Sequence, residues 1–199
     1  MTDDVLQGYA DAAPGLIPRF EAISPALLYR PVNDLLPTIP SRIADIGAGT
    51  GRDAAWLAGQ GHRVLAVEPV DELRLAGMVL HEAVPIQWLD DRLPDLVQMQ
   101  GSFDLLLLSA VWQHLDDRER QCAMRRLRQL TAPAGLVIIS LRHGSGAPGR
   151  RIHVAAPEDA VRMAEAEGFV TVRQKQADSM QPGNRAAGVS WTWLAFGLG

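Results

Sequence analysis

Two periodicities alternate along this chain. Short apolar runs with the character of buried parallel strands recur at Ile43 to Ile46, His62 to Val67, Pro85 to Trp88, Ser102 to Leu108 and Leu136 to Leu141. Between them lie stretches of helical pattern: Ala54, Leu57 and Ala58 on one stripe, then an amphipathic helix through Leu73, Met78, Val79 and Leu80, then Ala123, Leu127 and Leu130 on an inward stripe. Strands separated by helices predict an α/β fold with a parallel sheet covered on both faces. A further helix is predicted from Pro157 through Val161, Met163 and Ala164 to near Gly168, and two alternating segments, Phe169 to Arg173 and Ser190 to Phe196, predict an antiparallel pair at the sheet edge. The Ala177 to Gly188 stretch between them, with Pro182, Gly183 and Asn184, is expected to be an exposed connection. Trp191 and Trp193 share a face of the last strand, expected against a helix.

Ahead of the first strand, Thr2 to Pro40 is predicted as helix in pieces, broken by Pro14, Pro18, Pro25, Pro31, Pro37 and Pro40. Leu16, Ile17, Phe20, Ile23, Leu27, Leu28, Val32, Leu35 and Leu36 require much of it to bury a face, as a lid or as packing. Tyr9, Arg19, Tyr29 and Arg30 are its groups able to reach a substrate; for the tyrosines the alternative is an amphipathic position on a helix surface.

Composition narrows the class. At 199 residues the chain is expected to be one domain, 1–199, with an N-terminal helical segment (1–40) and a core (41–199). It is 47% hydrophobic and 21% charged with a formal net charge of −4, a balance that weighs against a duplex nucleic-acid partner. The lone Cys122 excludes an intramolecular disulfide and suits a reducing compartment. No basic region followed by an apolar run opens the chain, and the run around Leu105 to Leu108 is far short of a membrane span. A cytoplasmic protein without membrane contact is therefore expected. The charged helix Asp116 to Leu130 has acids at its start and arginines toward its end, which suits the helix dipole; it is either a solvated face or a basic partner surface.

The chemistry concentrates in Asp45-Ile46-Gly47-Ala48-Gly49-Thr50-Gly51-Arg52-Asp53, which follows a strand and opens a helix, with Glu68-Pro69 at the end of the next strand. Such a turn leaves backbone N–H groups free beside a glycine-floored cleft, and the carboxylate suits a ribose diol. The spacing is G-x-G-x-G rather than the G-x-G-x-x-G of dinucleotide sites. Asp45 to Gly51 with Glu68 resembles motif I and the following acidic position of class I S-adenosylmethionine-dependent methyltransferases. Leu89-Asp90 and the Phe103 to Leu115 segment, a Phe-Asp strand followed by an aromatic turn with His114, resemble the same family. The resemblance implies a doubly wound, mainly parallel seven-stranded sheet with helices on both faces and an antiparallel C-terminal edge strand. It implies S-adenosylmethionine as cofactor, held by Asp45, Gly47, Ala48, Gly49, Gly51, Arg52, Asp53, Glu68, Pro69, Leu89, Asp90 and Ser109, with Asp90 at the adenine; helix capping or a solvated turn is the other use of Asp90-Asp91. No metal is implied.

The acceptor end is less defined. His114 is the candidate base, since imidazole titrates near neutrality, though a histidine ordering the turn is an equal alternative; His143 is second. The glycine-rich segment Arg142 to His153 is either a mobile loop or an anion-recognising one using Arg142, Arg150 or Arg151. Tyr9, Tyr29, Trp112 and His143 complete the candidate substrate contacts. The family's Asn-Pro-Pro-Tyr, Asp-Pro-Pro-Tyr and Pro-Cys signatures for nucleic-acid substrates are absent. A small-molecule acceptor, with an anionic one favoured by the arginines, is the leading expectation. A protein or RNA acceptor, a non-catalytic cofactor-binding protein and a nicotinamide-dependent oxidoreductase are the alternatives.

Overall fold

A computed structural model describes all residues, 1–199. Its seven strands are β1 (Arg42–Ile46), β2 (Arg63–Val67), β3 (Ile86–Leu89), β4 (Phe103–Leu108), β5 (Thr131–His143), β6 (Phe169–Asp178) and β7 (Ser190–Leu198). They form one sheet in the order β3-β2-β1-β4-β5-β7-β6. The first five are parallel, and β7 runs antiparallel to both β5 and β6. The helices are α1 (Asp3–Glu21), α2 (Pro25–Leu28), α3 (Arg52–Ala58), α4 (Asp71–Leu80), α5 (Asp117–Leu130), α6 (Pro157–Ala166) and α7 (Pro182–Ala186).

The strands are apolar on both sides because both faces are covered. Leu105, Leu106, Leu107 and Leu108 are all fully buried, Leu106 and Leu108 in a cluster with Trp112 and Phe196, Leu105 and Leu107 in one with Tyr29 and Leu57. From β1 the chain runs outward through β2 to β3, then crosses back to place β4 on the other side of β1. Connections leave β1 and β4 in opposite directions, and the resulting crevice at their carboxyl ends is where an open α/β sheet receives ligands.

Three expectations change. The N-terminal segment is in short helical pieces only after Glu21, at α2 and a 3-10 turn over Asn33–Leu35; Pro14 and Pro18 do not break it, because α1 spans 19 residues with both inside it. Both prolines lie on the solvent side one turn apart, where carbonyls that lose their intrahelical partners can be hydrated, while Val5, Ala13 and Leu16 bury the opposite face. Strand β6 continues to Asp178, with a bulge between Thr171 and Arg173. The connection after it is not simply exposed, because α7 and its preceding turn fold back over the sheet end and bury Ser179. The helix α5 begins as read, with a capping box in which Asp116 accepts from the Glu119 N–H at 2.8 Å and Glu119 accepts from the Asp116 N–H at 2.9 Å. No helix is long and apolar enough to cross a membrane.

Candidate active site

A cavity of about 300 Å³ lies over the carboxyl ends of β1, β4 and β5 and the amino end of the antiparallel β7. Its cover is made by α1, by the loop after β5 and by the β6–β7 connection. Its two ends differ chemically.

The floor at one end is the glycine turn. Gly47, Gly49 and Gly51 have φ of 75°, 58° and 75°, angles at which a side chain is strained. This conformation aims the Gly47 and Ala48 N–H groups at the Val67 carbonyl, at 2.8 and 3.0 Å, and the Gly49 N–H at Glu68 Oε2, at 2.7 Å. The second oxygen of Glu68 accepts from the Val70 N–H at 2.9 Å. Burial outweighs these bonds and pushes the Glu68 carboxyl up to about 7. Asp45 is 2% exposed, and its Oδ2 has no hydrogen-bond partner. Burial first, and then the nearby Asp53 carboxylate, holds its carboxyl well above the usual carboxylate range. An unpartnered oxygen on a buried acid is costly unless a donor arrives to meet it.

Asp53 is neutralised from within. Arg52 donates through Nε and Nη2 to its two oxygens, each at 2.7 Å, and the Tyr29 hydroxyl donates to Oδ2 at 2.7 Å. Arg52 also donates to the Phe20 carbonyl at 2.9 Å, and Thr50 donates to Glu21, so the end of α1 is fastened onto the glycine turn.

At the other end, a 3-10 turn after β4 carries Trp112, Gln113 and His114. His114 Nδ1 lies 2.7 Å from the Arg151 carbonyl, and Nε2 lies 2.9 Å from the Tyr9 hydroxyl. Burial holds the imidazole below its ordinary value. Two guanidinium groups face the same space. Arg142 sits over the Trp191 ring at 5.6 Å and donates to the Ser145 carbonyl at 2.8 Å; Arg150 sits over the Tyr9 ring at 5.1 Å with its buried Nε unpartnered. Arg151, by contrast, points outward to Asp4 at 2.9 Å.

Of the expected site residues, Tyr9, Asp45, Gly47, Ala48, Gly49, Arg52, Asp53, Glu68, Ser109, His114, Arg142 and Arg150 line the cavity. The others do not. Gly51 faces Trp88, whose ring a Cβ would meet at 2.4 Å. Pro69 and Leu89 lie behind the wall, where the Leu89 carbonyl accepts from the Glu68 N–H at 3.0 Å and so helps to place it. Asp90 is exposed, 3.6 Å from Arg74, whereas its neighbour Asp91 is buried and accepts from the Gln98 and Met99 N–H groups at 2.7 and 3.1 Å. Tyr29 and Trp112 are core residues with no exposed surface, the former stacked on Trp56 at 5.7 Å. His143 bonds Thr192 at 2.8 Å away from the cavity. Lining residues that the sequence reading did not place at the site include Ser140, Ser179, Met180, Gln181 and Asn184. The Pro182-Gly183-Asn184 turn is the one signal in sequence that the β6–β7 connection bends back.

A model of a methyltransferase domain matches residues 44–139, a span that runs from β1 into β5 and holds both the glycine turn and His114. No match is found among curated proteins. Among solved structures, 1,6-didemethyltoxoflavin-N1-methyltransferase of Burkholderia thailandensis, with bound 1,6-didemethyltoxoflavin and S-adenosylhomocysteine, is similar with a TM-score of 0.76 at 19% identity, over 98% of this chain and 87% of that one. Magnesium protoporphyrin IX methyltransferase of Synechocystis PCC 6803, with bound S-adenosylmethionine, gives 0.66 at 16% identity over 97% and 81%. A glycopeptide N-methyltransferase in complex with S-adenosylmethionine gives 0.70 at 15% identity over 89% and 96%. At these identities the likeness is one of fold.

Proposed function

We propose, from the methyltransferase-domain match over residues 44–139 and from the fold, that this chain is a class I S-adenosylmethionine-dependent methyltransferase whose acceptor is a small molecule that carries or forms an anion. The observation that carries the proposal is the division of one covered cavity into an acidic, glycine-floored end and a cationic, aromatic end.

The acidic end suits the cofactor. The unpartnered Oδ2 of Asp45 is an acceptor in search of a donor, and the ammonium group of the cofactor's methionine is one of matching charge. Glu68 keeps lone pairs for a ribose diol beyond the two backbone N–H groups it already binds. Gly47 and Gly49 allow close approach at the floor. When bound, S-adenosylmethionine supplies an electrophilic methyl group and departs as S-adenosylhomocysteine.

The cationic end suits the acceptor. Arg142 and Arg150 make no ion pair with the chain, so an anionic occupant would supply their missing partner. Trp191, Tyr9 and Ile152 add apolar surface for its body. A cover built from three segments favours a small acceptor over a protein or RNA. Enclosure also holds acceptor and methyl group in line and dry, a positioning effect worth on the order of 7 to 11 kcal/mol. The lone Cys122 accords with a cytoplasmic setting.

Calorimetry with S-adenosylhomocysteine, followed by product release across anionic and neutral small acceptors, tests the proposal. Micromolar cofactor-product binding with turnover confined to the anionic or acidic set is expected. Turnover on a peptide or RNA in preference to that set would overturn it.

A further inference from the structure

The hydrogen bonds of His114 determine where its proton lies. A carbonyl oxygen can only accept, so Nδ1, 2.7 Å from the Arg151 carbonyl, carries the hydrogen and Nε2 presents its lone pair. That lone pair is met at 2.9 Å by the Tyr9 hydroxyl and at a longer 3.3 Å by the Gln113 amide, which also donates to the Ala110 carbonyl at 2.5 Å. Tyr9 therefore donates its phenolic hydrogen to His114. The two rings stand edge to face, 5.4 Å between centroids and 87° between planes. Both residues line the cavity, but Nε2 is capped by the Tyr9 hydroxyl, so a proton leaving an acceptor reaches His114 through the Tyr9 oxygen.

We infer that Tyr9 and His114 form a proton relay serving an acceptor whose nucleophile is an acidic O–H or N–H group, with Tyr9 the catalytic residue that touches the acceptor and His114 holding the proton behind it. The inference rests on the methyltransferase reading and names its substrate class. The acceptor hydrogen passes to the Tyr9 oxygen as the Tyr9 hydrogen passes to His114 Nε2, leaving Tyr9 neutral and His114 an imidazolium whose Nδ1–H stays on the Arg151 carbonyl. The electron pair freed on the acceptor forms the new bond to the methyl carbon as the carbon–sulfur bond breaks. Atoms and charge balance without another reagent.

The surroundings favour the charges this step creates on the acceptor side. Arg150, over the face of Tyr9, and Arg142, from β5, stabilise negative charge on the phenol oxygen and on the acceptor. The groups acting on the pair are Arg142 of β5, Arg150, Arg151 and His153 of the following loop, and Glu68 at the end of β2. Burial raises Tyr9 and lowers His114, so both rest in the neutral forms the relay begins from. A weakly basic sink behind the relay suits phenols, enols, azoles and imides. A thioether or tertiary amine has no proton to give and makes no use of it.

The test uses 4-nitrophenol, whose ionised form absorbs in the visible, and 4-nitropyrazole as the N–H counterpart, with the full chain saturated with S-adenosylhomocysteine. Wild-type protein should bind 4-nitrophenol and raise its ionised fraction above that in buffer at the same pH. Tyr9→Phe and His114→Gln should each remove that gain while changing S-adenosylhomocysteine affinity less than about twofold. In turnover with S-adenosylmethionine, both variants should lose on the order of 100-fold in kcat/KM on the less acidic acceptor, with recovery as pH rises. Should Tyr9→Phe loosen α1, as a melting curve would reveal, His114→Gln carries the same expectation with α1 intact. Unchanged ionisation and pH profile in His114→Gln would overturn the relay. Failure of wild-type protein to bind either probe while binding S-adenosylhomocysteine would overturn the acceptor class, and failure to bind S-adenosylhomocysteine would instead overturn the methyltransferase reading.

Discussion

Gly8 of α1 and Gly149 of the loop after β5 meet backbone to backbone: a Cβ on Gly8 would lie 2.0 Å from the Gly149 carbonyl oxygen. The neighbours of this contact are the residues of the acceptor end, with Tyr9 under Arg150 and Asp4 paired to Arg151. Gly8→Ala is favourable for an isolated helix by about 1 kcal/mol, yet here it must push the loop away. It should raise the acceptor KM about tenfold or more with S-adenosylhomocysteine affinity little changed. Steady-state kinetics beside calorimetry checks this, and an unchanged KM would mean that the loop shifts without cost.

Asp45 illustrates a site held at the expense of stability. Its unpartnered oxygen and raised carboxyl predict that Asp45→Asn, which keeps the shape and removes the charge, makes the ligand-free protein melt higher. The same variant should weaken S-adenosylmethionine binding at least tenfold, since it loses the charge that meets the ammonium group. Melting curves and calorimetry on one preparation decide it; a lower melting temperature would show that Asp45 is a structural acid.

The outline of this molecule was legible because its strands are buried on both faces and its helices on one, so the two periods alternate cleanly from Ile43 to Leu141. The glycine turn was legible because its φ angles demand glycine. Less legible were features decided by distant partners. Tyr29, expected at the substrate or on a helix surface, is instead held in the core by Asp53, 24 positions away. Between Asp90 and Asp91, the one that turns inward is chosen by the Gln98 and Met99 N–H groups, which local sequence does not locate. Pro14 and Pro18 read as helix breaks, but exposure of their face and burial of the other keep α1 whole.

Glu68 should make both stability and cofactor affinity depend on pH, with opposite signs. Its folded-state carboxyl titrates at about 7 against an ordinary 4.5, so the folded chain binds the proton more tightly than the unfolded chain. Between those values unfolding releases a proton, and stability falls as pH rises through the window. Asp45, raised for the same reason, adds in the same direction. Ribose hydroxyls, being donors, prefer the ionised form, so affinity for S-adenosylhomocysteine should rise from pH 6 to 8. Glu68→Gln should flatten both trends and weaken binding at pH 8. Affinity that is level across that range in wild-type protein would remove Glu68 from the ribose site.

Arg150 separates charge from geometry at the acceptor end. Its guanidinium lies over the Tyr9 ring, its Nε is buried without a partner, and no acid of the chain pairs with it. Arg150→Met removes the charge but keeps length and apolar contact, and should raise the KM of an anionic acceptor roughly tenfold to a hundredfold, the equivalent of one charged hydrogen bond. Arg150→Lys restores the charge but not the flat, stacked donor pair, and should recover only part of that loss. Were the lysine variant to match wild type, the cavity would need only positive charge at this point. Were the methionine variant to match it, the anion would belong to Arg142 alone, and Arg142→Met would then carry the full effect.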